Sequence, residues 1–178
     1  MNMKKYAVTA AVAAVLSGTF AGTVPAFAAG VSTTIAAKQT AVTNAQKVVP
    51  AAAKLVSAKT DDNKFELEFL DPDTLERYEV EVDRATQKVK EVEVKEVEVK
   101  SSNYPGSVTV SKTEEDVKEA IKARYADARN IVVTKKTDDK DGTPFVVYKA
   151  TFETDAFTGE ALLNPATCYI GYQELTYK

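Results

Sequence analysis

Carboxylates are the residues of this chain with the types and spacing for chemistry. Asp61-Asp62-Asn63 and the run Asp138 to Asp141 cluster oxygens of the kind hard cations take. Neither run has an acid at every second position or a following Glu at the distance a calcium loop needs, so both read as polar turns. Glu66 with Glu68, and Glu79 with Glu81, stand two apart on alternating segments, which places each pair on one strand face about 7 Å apart. General acid–base work also needs a cleft that raises one of the two pKa values. Each pair instead lies opposite an apolar face, the pattern of solvated sheet surface. Cys168 is the single cysteine, and there is no histidine or tryptophan. Ser-His-Asp, Cys-His and histidine–zinc chemistry are therefore absent. No intramolecular disulfide can form, and Cys168 reads as a small buried hydrophobe, with pairing between chains the alternative. The expectation is a protein that is not an enzyme, with no catalytic residue, metal ligand or cofactor site. Tyr169, Tyr172 and Tyr177 remain as aromatic candidates for core or interface; Tyr169 and Tyr177 share strand parity, and Tyr172 has the opposite one.

The elements that would carry these residues follow from periodicity. Residues 29–34 read as a flexible lead-in. Ile35 to Val49 holds no Gly or Pro, with Ile35, Val42, Ala45 and Val49 on one helical face and Pro50 ending the run. Alternation then replaces helical spacing. Strands are expected over Leu55–Lys59, over Phe65, Leu67 and Phe69, over Tyr78, Val80 and Val82, and from Val89. Turns are expected at Asp61-Asp62-Asn63, Asp71-Pro72-Asp73 and Arg84–Lys88. In Lys88–Lys100 the spacing of three between Val94 and Val97 breaks alternation and predicts a bulge or a switch of the strand from one sheet to another. Its charges suit either a protected sheet edge or a docking edge for a partner's strand.

Ser101–Ser107, with Pro105-Gly106, is a linker, and the pattern starts again after it. Thr113 with Asp116 forms an N-terminal capping signal, and Val117, Ala120, Ile121 and Tyr125 share a helical face. A strand from Ile131, a turn at Asp138–Gly142, a strand over Phe145–Phe152, a turn at Asp155–Glu160 and a last strand over Tyr169–Tyr177 complete the chain. Ser57–Asp62 aligns with Thr134–Asp139, so an internal repeat is expected.

The amino terminus predicts export. Lys4 and Lys5 precede an apolar run from Ala7 to Leu16, and Ala26-Phe27-Ala28 is a small-x-small cleavage site. The apolar run falls short of the roughly 20 residues a span needs, so no membrane span is expected after cleavage at Ala28. Residues 29–178 carry 21 basic and 26 acidic side chains, net −5. That balance disfavours nucleic acid and anionic membrane as partners.

The run Tyr78-Glu79-Val80-Glu81-Val82-Asp83-Arg84-Ala85-Thr86-Gln87-Lys88-Val89 is similar to the closing signature of PepSY domains. There, a Tyr-bearing alternating strand ends on Asp and turns through Thr-Gly; Gln87 stands here in place of the Gly. Asp155–Glu160 restores Thr-Gly in the second half, and also matches the earlier turn Asp71–Glu76, so two alignments stay open. The resemblance implies an α+β fold of two tandem repeats, each a helix packed on an antiparallel β-meander. The expected divisions are a signal peptide at 1–28, PepSY-like repeats at 29–100 and 108–178, and a linker at 101–107. The two small units are expected to share a sheet or pack closely. The resemblance further implies a secreted, periplasmic or cell-envelope protein that binds a protein partner, inhibiting or modulating a secreted or envelope peptidase. The alternative is a small-ligand or metal-binding envelope protein.

Overall fold

A computed structural model describes residues 26–96, 105–140 and 143–178. In chain order the described elements are α1 (Ala26–Ala45), β1 (Lys54–Thr60), β2 (Lys64–Leu70), β3 (Glu76–Asp83), β4 (Val89–Glu96), β5 (Gly106–Ser107), α2 (Glu114–Arg124), β6 (Arg129–Lys140), β7 (Thr143–Glu153), β8 (Phe157–Leu163) and β9 (Ile170–Tyr177). All nine strands join one antiparallel sheet, in the order β1-β2-β3-β4-β9-β8-β7. β7 pairs with β6 along its outer side and, beyond the end of β8, with the short β5.

Strict alternation decides the two faces. A row of facing residues runs Leu67, Val80, Val92, Leu175, Gly159, Phe152 from β2 to β7. The next row runs Glu68, Glu79, Glu93, Glu174, Glu160, Thr151. The apolar row is covered and the acidic row faces water, because side chains one step apart point to opposite faces. The helices lie on the apolar face. α1 buries Ala41 and Ala45 against β2, β3 and β4, and α2 buries Val117 and Ile121 near β6 and β7, all in one core cluster. Beyond the end of α2, Tyr125 stacks on Phe152 at 5.1 Å and meets Phe157 edge-on at 5.4 Å.

The N-terminus of α2 forms as the Thr113–Asp116 spacing predicts. The Thr113 hydroxyl accepts from the Asp116 amide, and the Asp116 carboxylate accepts from the Thr113 amide, giving a full capping box. Three hairpin turns share one construction: Asp71–Glu76, Asp83–Lys88 and Asn164–Tyr169. In each, the first amide donates to the sixth carbonyl at 2.9 Å, and the fifth amide returns to the first carbonyl at 2.8–3.0 Å. The first side chain accepts from the third amide at 2.8–3.0 Å, and the Thr at the fourth place accepts from the sixth amide at 3.2–3.5 Å. The fifth residue takes positive φ: Leu75 62°, Gln87 59°, Cys168 60°. This left-handed conformation suits glycine, yet none of the three is glycine.

The structure corrects the expected fold class. Two tandem repeats, each a helix on its own β-meander, do not form, while the two halves do share a sheet. The molecule is β-rich, one nine-stranded sheet with two helices among the described residues. The reason lies in β4 and β9, which pair over Glu91–Lys95 and Tyr172–Thr176 and bury Val92 and Leu175 against each other. Halves of about 70 residues expose too much of their own apolar surface, and joining strands through main-chain hydrogen bonds removes two edges at once.

Three local expectations change as well. Residues 29–34, read as a lead-in, belong to α1. Phe157–Glu160, read as part of a turn, belongs to β8, and the turn is the two residues Asp155-Ala156, closed by the Thr154 amide on the Phe157 carbonyl at 2.8 Å. The expected turn at Asp138 starts too early, since β6 continues to Lys140. Of the expected signal peptide 1–28, Ala26-Phe27-Ala28 open α1 and residues 1–25 fall outside the described residues, as do Val97 and most of the linker.

Candidate functional site

Within Lys88–Lys100 the described strand, β4, is not an edge. β4 is flanked by β3 and β9, and Val92 and Val94 are core. Among the described residues the edges are β1, β6 and the two-residue β5. β6 runs past the end of β8 with Thr134–Asp139 all exposed, and Lys135, Lys136, Asp138 and Asp139 guard that edge with charge.

β1 is different. The Asp61 amide donates to the Lys64 carbonyl at 2.9 Å, so hydrogen-bonded pairs alternate back along the hairpin through Lys59–Glu66 and Ser57–Glu68. Thr60 and Ala58 therefore turn their N–H and C=O groups away from β2, toward the open side. The Ala58 carbonyl accepts a hydrogen bond from Lys38 Nζ at 2.7 Å, reaching over from α1. Between α1 and β1 lies a groove of about 570 Å³ lined by Ile35, Lys38, Val42, Leu55 and Ala58, together with Gln39 and Thr43. Ile35 is 57% exposed, Leu55 40% and the bulged Val56 52%, so the apolar wall stands open to water. Ile35 was expected in the core with Val42, Ala45 and Val49. It overhangs the edge strand instead, and Ala41 takes the buried place. The sequence carried one signal for this groove: Lys38, the one charge in the Ala-rich stretch 35–46.

A second cleft, about 330 Å³, opens between the carboxyl ends of the helices over β4 and β9. Val92, Val94, Leu175 and Phe157 floor it, and Tyr78, Arg124, Tyr125 and Tyr177 line its sides. Arg124 stands 3.5 Å from Glu76, which also accepts from the Tyr78 hydroxyl, and Tyr125 donates to the buried Gln173 side chain. Burial pushes the Tyr177 hydroxyl up to about 12, and none of the hydrogen bonds among the described residues engages it.

The carboxylates are employed structurally. Asp61 and Asp138 accept from the amides that follow them, at 2.7 and 2.8 Å. Among the described residues no three acidic, cysteine or histidine side chains are grouped to hold a metal ion; Asp141 and Gly142 lie outside them. Lys64 bridges Glu66 and Glu81, Arg77 pairs with Glu68 at 2.9 Å, and Lys95 meets Glu79 at 2.9 Å. The hydrogen bond from Lys95 holds Glu79 below the usual carboxylate range. Desolvation, then the neighbouring Glu174, raises Glu91. Glu66, Glu68, Glu79 and Glu81 line one half-open cleft of about 190 Å³ on the acidic face, where Lys64, Arg77 and Lys95 pair with all four as structural ion pairs. Tyr177 packs on Phe157 at 5.3 Å on the helix face, Tyr172 lies on the acidic face with its hydroxyl 3.4 Å from Glu174, and Tyr169 closes its turn. Cys168 is half-buried and free, its thiol pushed up by desolvation.

No known protein family, curated protein or solved structure matches this chain. Among the described residues no helix is long and apolar enough to cross a membrane.

Proposed function

We propose that the chain is an exported, non-catalytic binding protein that takes up an extended segment of a protein partner along β1, the partner being a secreted or envelope peptidase that it inhibits or modulates. The observation that carries the docking mode is the edge at Ala58 and Thr60, whose main-chain groups turn away from β2 beside an apolar groove. Strand addition takes its affinity from the main chain and its specificity from alternate side chains entering such a groove. Export rests on the basic, apolar and small-x-small order of residues 1–28. The peptidase rests on the PepSY resemblance, which gains support from Gln87: it adopts the left-handed turn conformation that the family's Gly fits.

The test is inhibition and capture of peptidases from the producing cell's supernatant and envelope, with native protein and an Ala58→Pro variant. Ala58 donates nothing to the β1–β2 ladder, so proline there blocks an incoming strand and leaves the sheet intact. A peptidase held and slowed by native protein but not by the variant is the expected result. Equal behaviour of the two removes β1 as the docking edge, and no effect on any peptidase removes the peptidase reading.

The cleft over β4 and β9 favours a second reading, a small-ligand binder, because it joins an apolar floor to the Tyr177 hydroxyl, which none of the hydrogen bonds among the described residues engages. A thermal-shift screen with small apolar acids separates the two, since a ligand of the native state raises Tm by mass action.

A further inference from the structure

The cleft over β4 and β9 is the gap between two helices that pack on different strands, α1 on β2, β3 and β4 and α2 on β6 and β7. Arg124, in the last turn of α2, is the one charged side chain among the described residues lining it. Glu76, its ion-pair partner at 3.5 Å, is not part of the lining. One oxygen of that carboxylate already accepts from the Tyr78 hydroxyl and, at 3.4 Å, from the Thr74 hydroxyl. The long contact with Glu76 engages one nitrogen of Arg124, and a guanidinium offers a whole fork of donors. Burial raises the Tyr78 and Tyr125 hydroxyls, and the Arg124 charge beside both acts against it, so the guanidinium stands among the polar groups of the cleft. Tyr177, packed on Phe157 at 5.3 Å, adds the hydroxyl that no hydrogen bond among the described residues engages.

Resting on the small-ligand reading above, we infer that the cleft takes a single-ring aromatic carboxylate, its acid group on Arg124 and the Tyr177 hydroxyl and its ring on the apolar floor. A volume of about 330 Å³ stands at the small end of ligand pockets, roughly 300–1,000 Å³, with room for one ring and not for a long chain. Val92, Val94 and Leu175 lie under the ring, and Tyr125 and Phe157 give it aromatic neighbours for offset or edge-on contact. The carboxylate takes the guanidinium fork in parallel hydrogen bonds. Glu76 keeps both of its hydroxyl donors when Arg124 turns to the ligand. A neutral amide offers the fork an acceptor without charge. An ammonium meets Arg124 as a like charge, with no acid among the described lining residues to receive it, so the cleft discriminates by repulsion as well as attraction.

The experiment titrates the purified full chain with phenylacetate, phenylacetamide and phenethylammonium. Calorimetry reads affinity, and NMR shifts of the Val92, Val94 and Leu175 methyls read the place of binding. Phenylacetate binds the native protein at least about fivefold more tightly than the amide, the scale of a hydrogen bond to a charged group, and the ammonium binds weakest. Arg124→Met keeps the apolar stem and brings acid and amide together. Arg124→Lys keeps the charge, loses the fork and falls between. Tyr177→Phe weakens the acid and keeps the packing on Phe157. Glu76→Gln still accepts from Tyr78 and Thr74, releases the guanidinium and tightens the acid. Thermal unfolding of each variant shows that it is folded. If the acid preference survives in folded Arg124→Met or Arg124→Lys at its native size, or the ammonium binds best, the inference is overturned while the small-ligand reading stands. If no probe moves the three methyls in native protein or in Glu76→Gln, the small-ligand reading falls with it.

Discussion

The ring of Phe152 lies directly across the strand pair from Gly159, so close that a Cβ on Gly159 would stand 2.4 Å from Phe152 Cζ. The glycine is thus the floor on which the ring rests, with Tyr125 stacked at 5.1 Å. Gly159→Ala forces the ring and Tyr125 to move, and overpacking of this kind costs about 1–3 kcal/mol. Denaturant unfolding of Gly159→Ala reads the loss. Pairing it with Phe152→Leu recovers part of the loss, which a double-mutant cycle reports as coupling.

Leu75 holds φ 62° at the fifth place of its turn and is exposed, so its side chain contributes little that glycine would lose. Left-handed geometry costs a non-glycine residue about 1–2 kcal/mol, offset in part by the greater chain entropy of glycine when unfolded. Leu75→Gly therefore stabilises by about 0.5–1 kcal/mol. Leu75→Val, β-branched at the same φ, destabilises, and thermal unfolding of both variants checks the sign.

Glu91 titrates above its ordinary value because burial and the neighbouring Glu174, Glu81 and Glu93 disfavour its charge. A raised carboxylate pKa means that the folded state holds the proton more tightly than the unfolded chain. The group therefore favours folding below its unfolded value, about 4.3, and disfavours it once pH has risen through the folded one. Glu91→Gln stabilises at pH 7 by about 0.2–1 kcal/mol, the range of a cross-strand like-charge contact. At pH 3 the difference vanishes, and chemical denaturation at the two pH values measures it. Unequal gains of the opposite order remove the electrostatic account.

Gln173 is 2% exposed and points its carboxamide oxygen at the Tyr125 hydroxyl. Tyr125→Phe keeps the stack on Phe152 and leaves that acceptor buried without its donor, at about 1–3 kcal/mol. Adding Gln173→Leu removes the orphan and returns much of the stability. A double variant as unstable as the sum of the singles would show that the hydrogen bond matters little.

Much of the local structure is written in the sequence because its causes are local. Alternation of Phe65, Leu67 and Phe69 with Glu66 and Glu68 can satisfy one buried face only as a strand, and the same holds for Tyr78–Val82. Thr113 and Asp116 cap α2 within one turn of chain. β8 escaped because Gly159 occupies an inward place in the alternation Phe157, Gly159, Ala161, Leu163, and glycine there reads as a turn until the ring of Phe152 is seen to need the space.

Which strands are edges was decided only in three dimensions. Lys88–Lys100 has the charge pattern of an edge, yet β4 is interior, because its partner β9 lies about 80 residues away and no local signal names it. The same pairing runs one sheet through both halves in place of two meanders. It moved the open edge to β1, where the register set by the Asp61–Lys64 hydrogen bond turns Ala58 outward and Lys38 of α1 arrives above it. Types and spacing determine which residues can line a face; long-range pairing, which buries what two halves leave exposed, determines which face and which edge remain for a partner.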